Sequence, residues 1–360
     1  QREAAKVALG KTLTIICGGP GTGKTTTVAK ILALLHESSY GQRTLTMALA
    51  APTGKAAMRL REAIGTSIAR LNLPEGTKDA LPTSACTLHR LLGVRRGSPQ
   101  FRHNRDNPLG WDVIVVDEAS MVDLAMMSKL VDAVKPGARL ILLGDKDQLA
   151  SVESGAVLGD CIRGLPENTV ELRETYRFDT DIQQLATAIN GADSSTAWHL
   201  LTSANPGGGI LPAEGLVGYI GAAYVKYMAL VQKNPESHEI HHIFAQFQSF
   251  RVLCALHYGN RGVDAINRQV ELELLRRGYT CRPETWYPGR PVLITVNDYG
   301  LDLYNGDIGI CLPSPENGEL QVWFQQTDGG LRSYPPSRLP SCRTVFAMTI
   351  HKSQGSEFDE

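Results

Sequence analysis

Residues 18–25 read Gly-Gly-Pro-Gly-Thr-Gly-Lys-Thr, directly after the β-rich run TLTIIC (12–17) and before a helical stretch near 24–36. No other feature limits the fold so strongly. A turn this poor in Cβ atoms lets successive backbone N–H groups converge on a concave nest, and the helix that follows adds the positive end of its dipole. That geometry needs a strand to feed the turn and a helix to leave it. A chance match in a chain of this length has a probability on the order of one per cent. The nest holds phosphate oxygens. Lys24 suits the β- and γ-phosphates of a nucleoside triphosphate, and the Thr25 hydroxyl suits Mg²⁺. Gly18, Gly19, Pro20, Gly21, Thr22, Gly23 and Thr26 complete the candidate ATP contacts.

Three more short apolar runs follow: 45–51 (LTMALAA), 112–116 (DVIVV) and 139–143 (RLILL). Helix-like segments separate them and each ends in a polar cluster. Buried strands alternating with helices indicate a parallel sheet covered on both faces, whose ligands collect at the carboxyl ends of the strands. Residues 60–110 are less regular and read as an elaboration between sheet strands. A second α/β region starts beyond 170, with a strand candidate at 251–256 (RVLCAL). Residues 285–343 alternate short β runs with turn signals such as Asn305-Gly306, the pattern of a small antiparallel barrel. The run 344–350 (TVFAMTI) returns to a buried strand. The junctions near 164–170 and 205–218 are thin.

With 360 residues the chain has room for two to three domains. A net charge of −1 argues neither for nor against nucleic acid, which a local basic groove could still meet. The seven cysteines are scattered and form no CxxC pair, so the expectation is a reduced, cytoplasmic protein without a cysteine metal cluster. No apolar run approaches the ~18–20 residues that span a bilayer, and no signal peptide opens the chain. The abrupt start at Gln1 and end at Glu360 read as a piece of a longer protein.

The polar clusters supply the chemistry. Asp117-Glu118 ends the run DVIVV; Asp117 suits the Mg²⁺ role and Glu118 the activation of water. In Gly144-Asp145-Lys146-Asp147-Gln148, Gln148 could reach the γ-phosphate or the attacking water; a polar turn with Asp caps is the equal alternative. In Ala51-Pro52-Thr53-Gly54-Lys55, Thr53, Gly54 and Lys55 offer a hydroxyl, a close backbone approach and a cation suited to a phosphodiester backbone, or Thr53 is simply an N-cap. Thr87-Leu88-His89-Arg90 stands the same way. Arg177, between Tyr176 and Phe178, could neutralise phosphoryl charge from outside the P-loop domain, though such an arginine is more often packed on a surface. Thr349 to Phe358 is dense in polar groups and could equally be an exposed loop. His238-Glu239-Ile240-His241-His242 satisfies a zinc-protease pattern, but no third ligand follows and it reads as a solvated helix face.

GGPGTGKTT, APTGKAA, TLHRLL, VVDEASM, GDKDQLASVESGAVLGD, YRF and MTIHKSQGSEFD occur in the order of the superfamily 1 helicase motifs. Their wording, with NPLGWDVIVVDEASMVDLAMMSKLVDAV, resembles the RecD family, the alpha subunits of exodeoxyribonuclease V. The resemblance implies an α/β fold with two RecA-like P-loop motor domains, parallel sheets covered by helices. It also implies a small SH3-like β-barrel inserted in the second. The domains would then be 1–165, 166–284 with a return at 344–360, and the barrel at 285–343. It implies ATP and Mg²⁺, single-stranded DNA as partner, 5′→3′ movement, and RecB- and RecC-like subunits docked through a further N-terminal domain. It gives Gln148 the γ-phosphate, Arg177 the completion of the ATP site, Gln1 the adenine, and Gly355 and Glu357 places facing the nucleotide. Pro52, Thr53, His89, Thr349, His351 and Lys352 would lie on or beside DNA. A last arginine-bearing motif would follow Glu360.

The enzyme expected is a DNA-stimulated ATPase and helicase without a nuclease site of its own. Rival readings are a stand-alone RecD-like helicase and an ATP-dependent nucleic-acid switch that does not travel.

Overall fold

The computed structural model describes residues 1–39, 44–95, 97–149, 156–174, 180–203, 215–233, 239–298, 300–326 and 329–354. The chain forms two compact units, Gln1–Gly209 and Ile210–Glu360.

The first unit is built on six parallel strands in the order β3-β2-β4-β5-β1-β6. They are β1 (Leu13–Gly18), β2 (Met47–Ala51), β3 (Ala85–Thr87), β4 (Val113–Val116), β5 (Arg139–Gly144) and β6 (Thr169–Leu172). Its helices are α1 (Arg2–Gly10), α2 (Lys24–Ser38), α3 (Gly54–Arg70), α4 (Glu75–Ala80), α5 (Leu88–Leu92), α6 (Leu124–Ala133), α7 (Val157–Gly164), α8 (Thr180–Asn190) and α9 (Ser194–Thr202). Side chains alternate across the sheet with a period of two. Val113, Val115, Ile141 and Leu143 join Val28, Leu32, Leu60 and Ile64 of α2 and α3 in one core. Ile114, Val116, Leu140 and Leu142 join Leu91, Met127, Leu130 and Leu158 of α5, α6 and α7 in the other. Both faces are covered, which is why these strands read as unbroken apolar runs.

Two departures from the sequence reading stand out. Residues 60–110 are not simply an elaboration: α3 runs on to Arg70, and Ala85–Thr87 is a strand of the main sheet, paired with β2. A three-residue strand is too short to show a period, so it left no signal. The sheet also reaches past residue 165, because β6 pairs with β1 at Ile15↔Thr169 through Gly18↔Leu172.

The second unit packs α10 (Leu216–Ala223), α11 (Val225–Gln232), α12 (Ile240–Gln248) and α13 (Val263–Arg276) around Tyr224, Tyr227, Phe244, Phe247 and Phe346. Beside them lies the parallel pair β7 (Val252–Cys254) and β13 (Ala347–Thr349), where strands were expected at 251–256 and 344–350. The short α14 (Ile350–Ser353) follows β13. Between β7 and β13 in the chain comes a five-stranded sheet with antiparallel pairings, order β11-β10-β9-β8-β12. Its strands are β8 (Pro291–Ile294), β9 (Ile308–Pro313), β10 (Leu320–Gln325), β11 (Leu331–Tyr334) and β12 (Cys342–Thr344). In the Asn305-Gly306 turn, Gly306 takes φ +102°, a conformation L side chains avoid. No helix among the described residues is long and apolar enough to cross a membrane.

Candidate nucleotide and nucleic-acid site

The strands of the first sheet are parallel, so their carboxyl ends share one edge. That edge carries Gly18, Thr53, His89, Asp117, Asp145 and Gln148 in or just after the strand ends.

The turn 19–23 joins β1 to α2. Gly21 and Gly23 take φ +74° and +79°. Gly18 has no room for a side chain: an added Cβ would lie 2.6 Å from the Leu172 carbonyl oxygen and 2.7 Å from Thr22 Oγ1. Thr22 Oγ1 donates to the Gly19 carbonyl at 2.8 Å, bracing the turn from within. Lys24 Nζ donates to the Gly18 and Gly19 carbonyls at 2.6 and 3.0 Å, so the ammonium is folded over the loop. Thr25 is half-buried in the first turn of α2.

Asp117 and Glu118 follow β4. Glu118 takes φ +52°, ψ 39°, an uncommon left-handed conformation for a residue with a side chain, and its amide donates to Asp117 Oδ1 at 2.9 Å. Burial and then the neighbouring Asp117 push the Glu118 carboxyl up to about 7, against the pull of Lys24 and Arg59. Burial also raises Asp117, and raises Asp145, which is 5% exposed after β5. Lys24 is the cation that draws all three carboxyls down. No three metal-ligating side chains gather among the described residues; a hydroxyl on Thr25 and a carboxylate on Asp117 are hard oxygen donors of the kind Mg²⁺ takes beside phosphate oxygens.

Gln1 sits at the flank of this site. Its Oε1 accepts from Lys30 Nζ of α2 at 3.1 Å, and its Nε2 lies 3.2 Å from where a Gly23 Cβ would stand. Gln148 hydrogen-bonds the Asp145 side chain. Thr53 is an N-cap, accepting from the Ala56 amide at 3.2 Å, and Thr87 caps α5 through the Arg90 amide at 3.3 Å. The capping reading of both therefore holds, whatever else they do. Pro52 and Lys55 flank Thr53, half-buried. His89 is exposed at the start of α5, its ring edge-on to Phe101 with centroids 5.7 Å apart.

In the second unit Thr349 caps α14, accepting from the Lys352 amide at 3.3 Å, and His351 is exposed. Lys352 Nζ donates to Asn305 Oδ1 at 2.6 Å, tying α14 to the turn before β9. Arg177, Gly355 and Glu357 lie outside the described residues, as does His238. Glu239 precedes α12, whose buried face is Ile240, Ile243, Phe244 and Phe247; His241 and His242 are exposed opposite it.

Sequence reading missed Arg59, on α3, as a counter-charge to Glu118. It also missed the pairing of Lys146 with Glu171 on β6, Nζ to Oε1 at 2.6 Å. Neither was legible before the strand order was known.

This P-loop, with an acid pair on a neighbouring strand of a parallel sheet, defines the class as a nucleoside-triphosphate-binding α/β chain. A family profile described as "AAA domain" matches residues 1–154. At finer grain the chain is similar to proteins named RecD. It is 45% identical to "RecBCD enzyme subunit RecD" of Mycolicibacterium smegmatis over 100% of this chain and 64% of that protein. It is 37% identical to the Haemophilus influenzae protein of the same name, over 99% of this chain and 63% of that one. It is 33% identical to "ATP-dependent RecD2 DNA helicase" of Deinococcus radiodurans, over 97% of this chain and 42% of that one. The chain thus spans under two thirds of the length of these relatives. The Mycolicibacterium alignment takes 366 positions for the 360 residues, so the thin junctions are not large deletions relative to that protein.

Proposed function

We propose that this chain is the motor of an ATP-dependent DNA helicase that travels 5′→3′ on single-stranded DNA as the RecD-like subunit of a helicase–nuclease complex. The observation that carries this reading is the P-loop, acid pair and Gln148 loop gathered on one sheet edge, in a chain similar end to end to proteins named RecD. The proposed organisation is two RecA-like domains, 1–165 and 166–284 with 344–360, and an SH3-like barrel at 285–343. The first sheet's extension to Leu172 bears on the first boundary.

In the proposed reaction the P-loop amides and Lys24 hold the β- and γ-phosphates of ATP. Glu118 accepts a proton from the attacking water, which its carboxyl, poised at about 7, can do near neutral pH. Thr25 and Asp117 would hold Mg²⁺, which supplies neutralisation of phosphate charge when bound. Gln148 leaves Asp145 for the γ-phosphate, Arg177 completes the charge stabilisation, and Gln1 reads the adenine, with Gly355 and Glu357 beside the nucleotide. Pro52, Thr53, Lys55, His89, Thr349, His351 and Lys352 are the proposed DNA contacts, on phosphates rather than bases, so that movement is independent of sequence. The γ-phosphate biases a two-state closure that hydrolysis reverses. RecB- and RecC-like partners and a cytoplasmic setting belong to the same proposal.

Similarity to the protein named RecD2 helicase favours one alternative, a helicase that works alone. Steady-state ATP hydrolysis by the full-length protein, with single-stranded DNA of increasing length, tests the motor. Stimulation that grows with length and saturates supports translocation; stimulation independent of length refutes it. Unwinding of substrates with a 5′ or a 3′ tail then reads direction, with and without partner subunits.

A further inference from the structure

Lys146 follows β5 and Glu171 lies on β6, yet β1 stands between those strands. Strands are spaced about 4.8 Å apart, so the pair bridges about 10 Å across the end of β1. Its Nζ–Oε1 distance is 2.6 Å. The other oxygen of Glu171 accepts from Arg173 Nε at 3.1 Å, which fixes the plane of the carboxylate. Register places Glu171 beside Cys17, the residue that enters the P-loop, and Leu172 beside Gly18. The Cys17 thiol is pushed up by burial and then by Glu171, and drawn back by Lys146, as expected of a pair lying over it.

We infer that Glu171 is a positioning residue: through Lys146 it straps the loop carrying Asp145 and Gln148 across the base of the P-loop. The inference rests on the proposed function for its catalytic meaning. The loop needs such a tether. Asp145 and Asp147 lie within it, and Asp117 and Glu118 lie across from it with Lys24 as the cation shared between them. Like charges favour swinging the loop outward, and Lys146 is its one cation. The side chains of Lys146 and Glu171 are 41% and 30% exposed, and pairs so accessible contribute little to folding. What the pair supplies is direction. It anchors the Gln148 loop to the strand whose carbonyl at Leu172 already walls Gly18.

The test compares full-length wild type with Lys146→Gln, Glu171→Gln and the exchanged pair Lys146→Glu with Glu171→Lys. Two readouts are taken: DNA-stimulated ATP turnover, and hydrogen exchange of the amides at 145–149. Each single variant should lower kcat by roughly 3- to 10-fold with KM for ATP within about 2-fold. Exchange at 145–149 should rise about 5-fold or more, with the melting temperature little changed. The exchanged pair should recover at least half of each loss. Wild-type turnover in the single variants, unchanged exchange, or an exchanged pair no better than the worse single variant overturns the inference. If wild type itself shows no ATP turnover, the proposed function falls, and the exchange data still decide whether the strap exists.

Discussion

Lys24 Nζ lies 2.6 Å from the Gly18 carbonyl oxygen, so the first residue of α2 reaches back to the last residue of β1. A second bond to the Gly19 carbonyl, at 3.0 Å, holds the ammonium over the turn. To meet a phosphate the lysine exchanges two neutral acceptors for charged ones, and charge-assisted bonds are the stronger. Lys24→Ala should therefore cut ATP turnover by about 100-fold or more, measured at saturating DNA. Lys24→Arg should not rescue it, because a planar fork does not fit a site shaped for a point charge. Near-normal hydrolysis in the alanine variant would remove Lys24 from the site.

The pH dependence of stability follows from Glu118. Its carboxyl is raised from 4.5 to about 7 by burial and by Asp117. Between those values the folded chain holds a proton that the unfolded chain releases, so stability falls as pH rises through this window and levels off above it. Glu118→Gln removes the charge while keeping the shape. At pH 8 it should be more stable than wild type, by about 2 kcal/mol in the nucleotide-free protein, and lose most ATP turnover. A variant that is less stable than wild type at pH 8 would contradict this account.

How much of this could be read in the sequence differs residue by residue. The P-loop and Asp117-Glu118 were legible because their chemistry is local: a glycine-rich turn and an acid pair sit where a strand ends. The apolar runs of β4 and β5 were legible because both faces of a parallel sheet are buried. The strands Ala85–Thr87 and Thr169–Leu172 were not placed in the first sheet, being short and set by neighbours far away in sequence. Lys146 and Glu171 are 25 positions apart in number but meet only because β1 lies between β5 and β6. Nor does any pattern announce the left-handed backbone of Glu118, which tertiary packing imposes. Gly355 and Glu357 rest on the resemblance alone, and Arg177 on the resemblance together with its place between Tyr176 and Phe178.

Asp112 contributes to the acid sensitivity of the first unit. Burial opposes its ionisation. The Thr46 amide at 2.9 Å, Lys135 at 2.9 Å and the Thr46 hydroxyl at 3.0 Å outweigh that and hold it at about 2. A depressed carboxyl contributes stability above its unfolded value of 3.8, and that contribution is lost as pH falls through about 2. Asp112→Asn should lower stability by about 2 kcal/mol at pH 7 and by progressively less toward pH 2. Denaturant titrations at pH 7 and at low pH would show the two curves converging; parallel curves would exclude Asp112 as the cause.

Asn267 in α13 treats Ala347 as a neighbouring strand would. Its Nδ2 donates to the Ala347 carbonyl at 3.0 Å and its Oδ1 accepts from the Ala347 amide at 2.9 Å; Nδ2 also reaches the Val263 carbonyl at 2.9 Å. The side chain is 6% exposed, so no solvent can replace it. Asn267→Leu keeps the volume and strands both Ala347 groups, which should cost about 2–4 kcal/mol. Asn267→Asp keeps the acceptor, loses the donor and brings a buried charge, so it should be no less harmful. Because β13 leads directly into Thr349, His351 and Lys352, the same variants should also weaken binding to single-stranded DNA if those residues touch it. Urea unfolding measures the first effect and fluorescence anisotropy with a labelled oligonucleotide the second. A stability loss below about 0.5 kcal/mol in Asn267→Leu would show that β13 is held by its pairing with β7 instead.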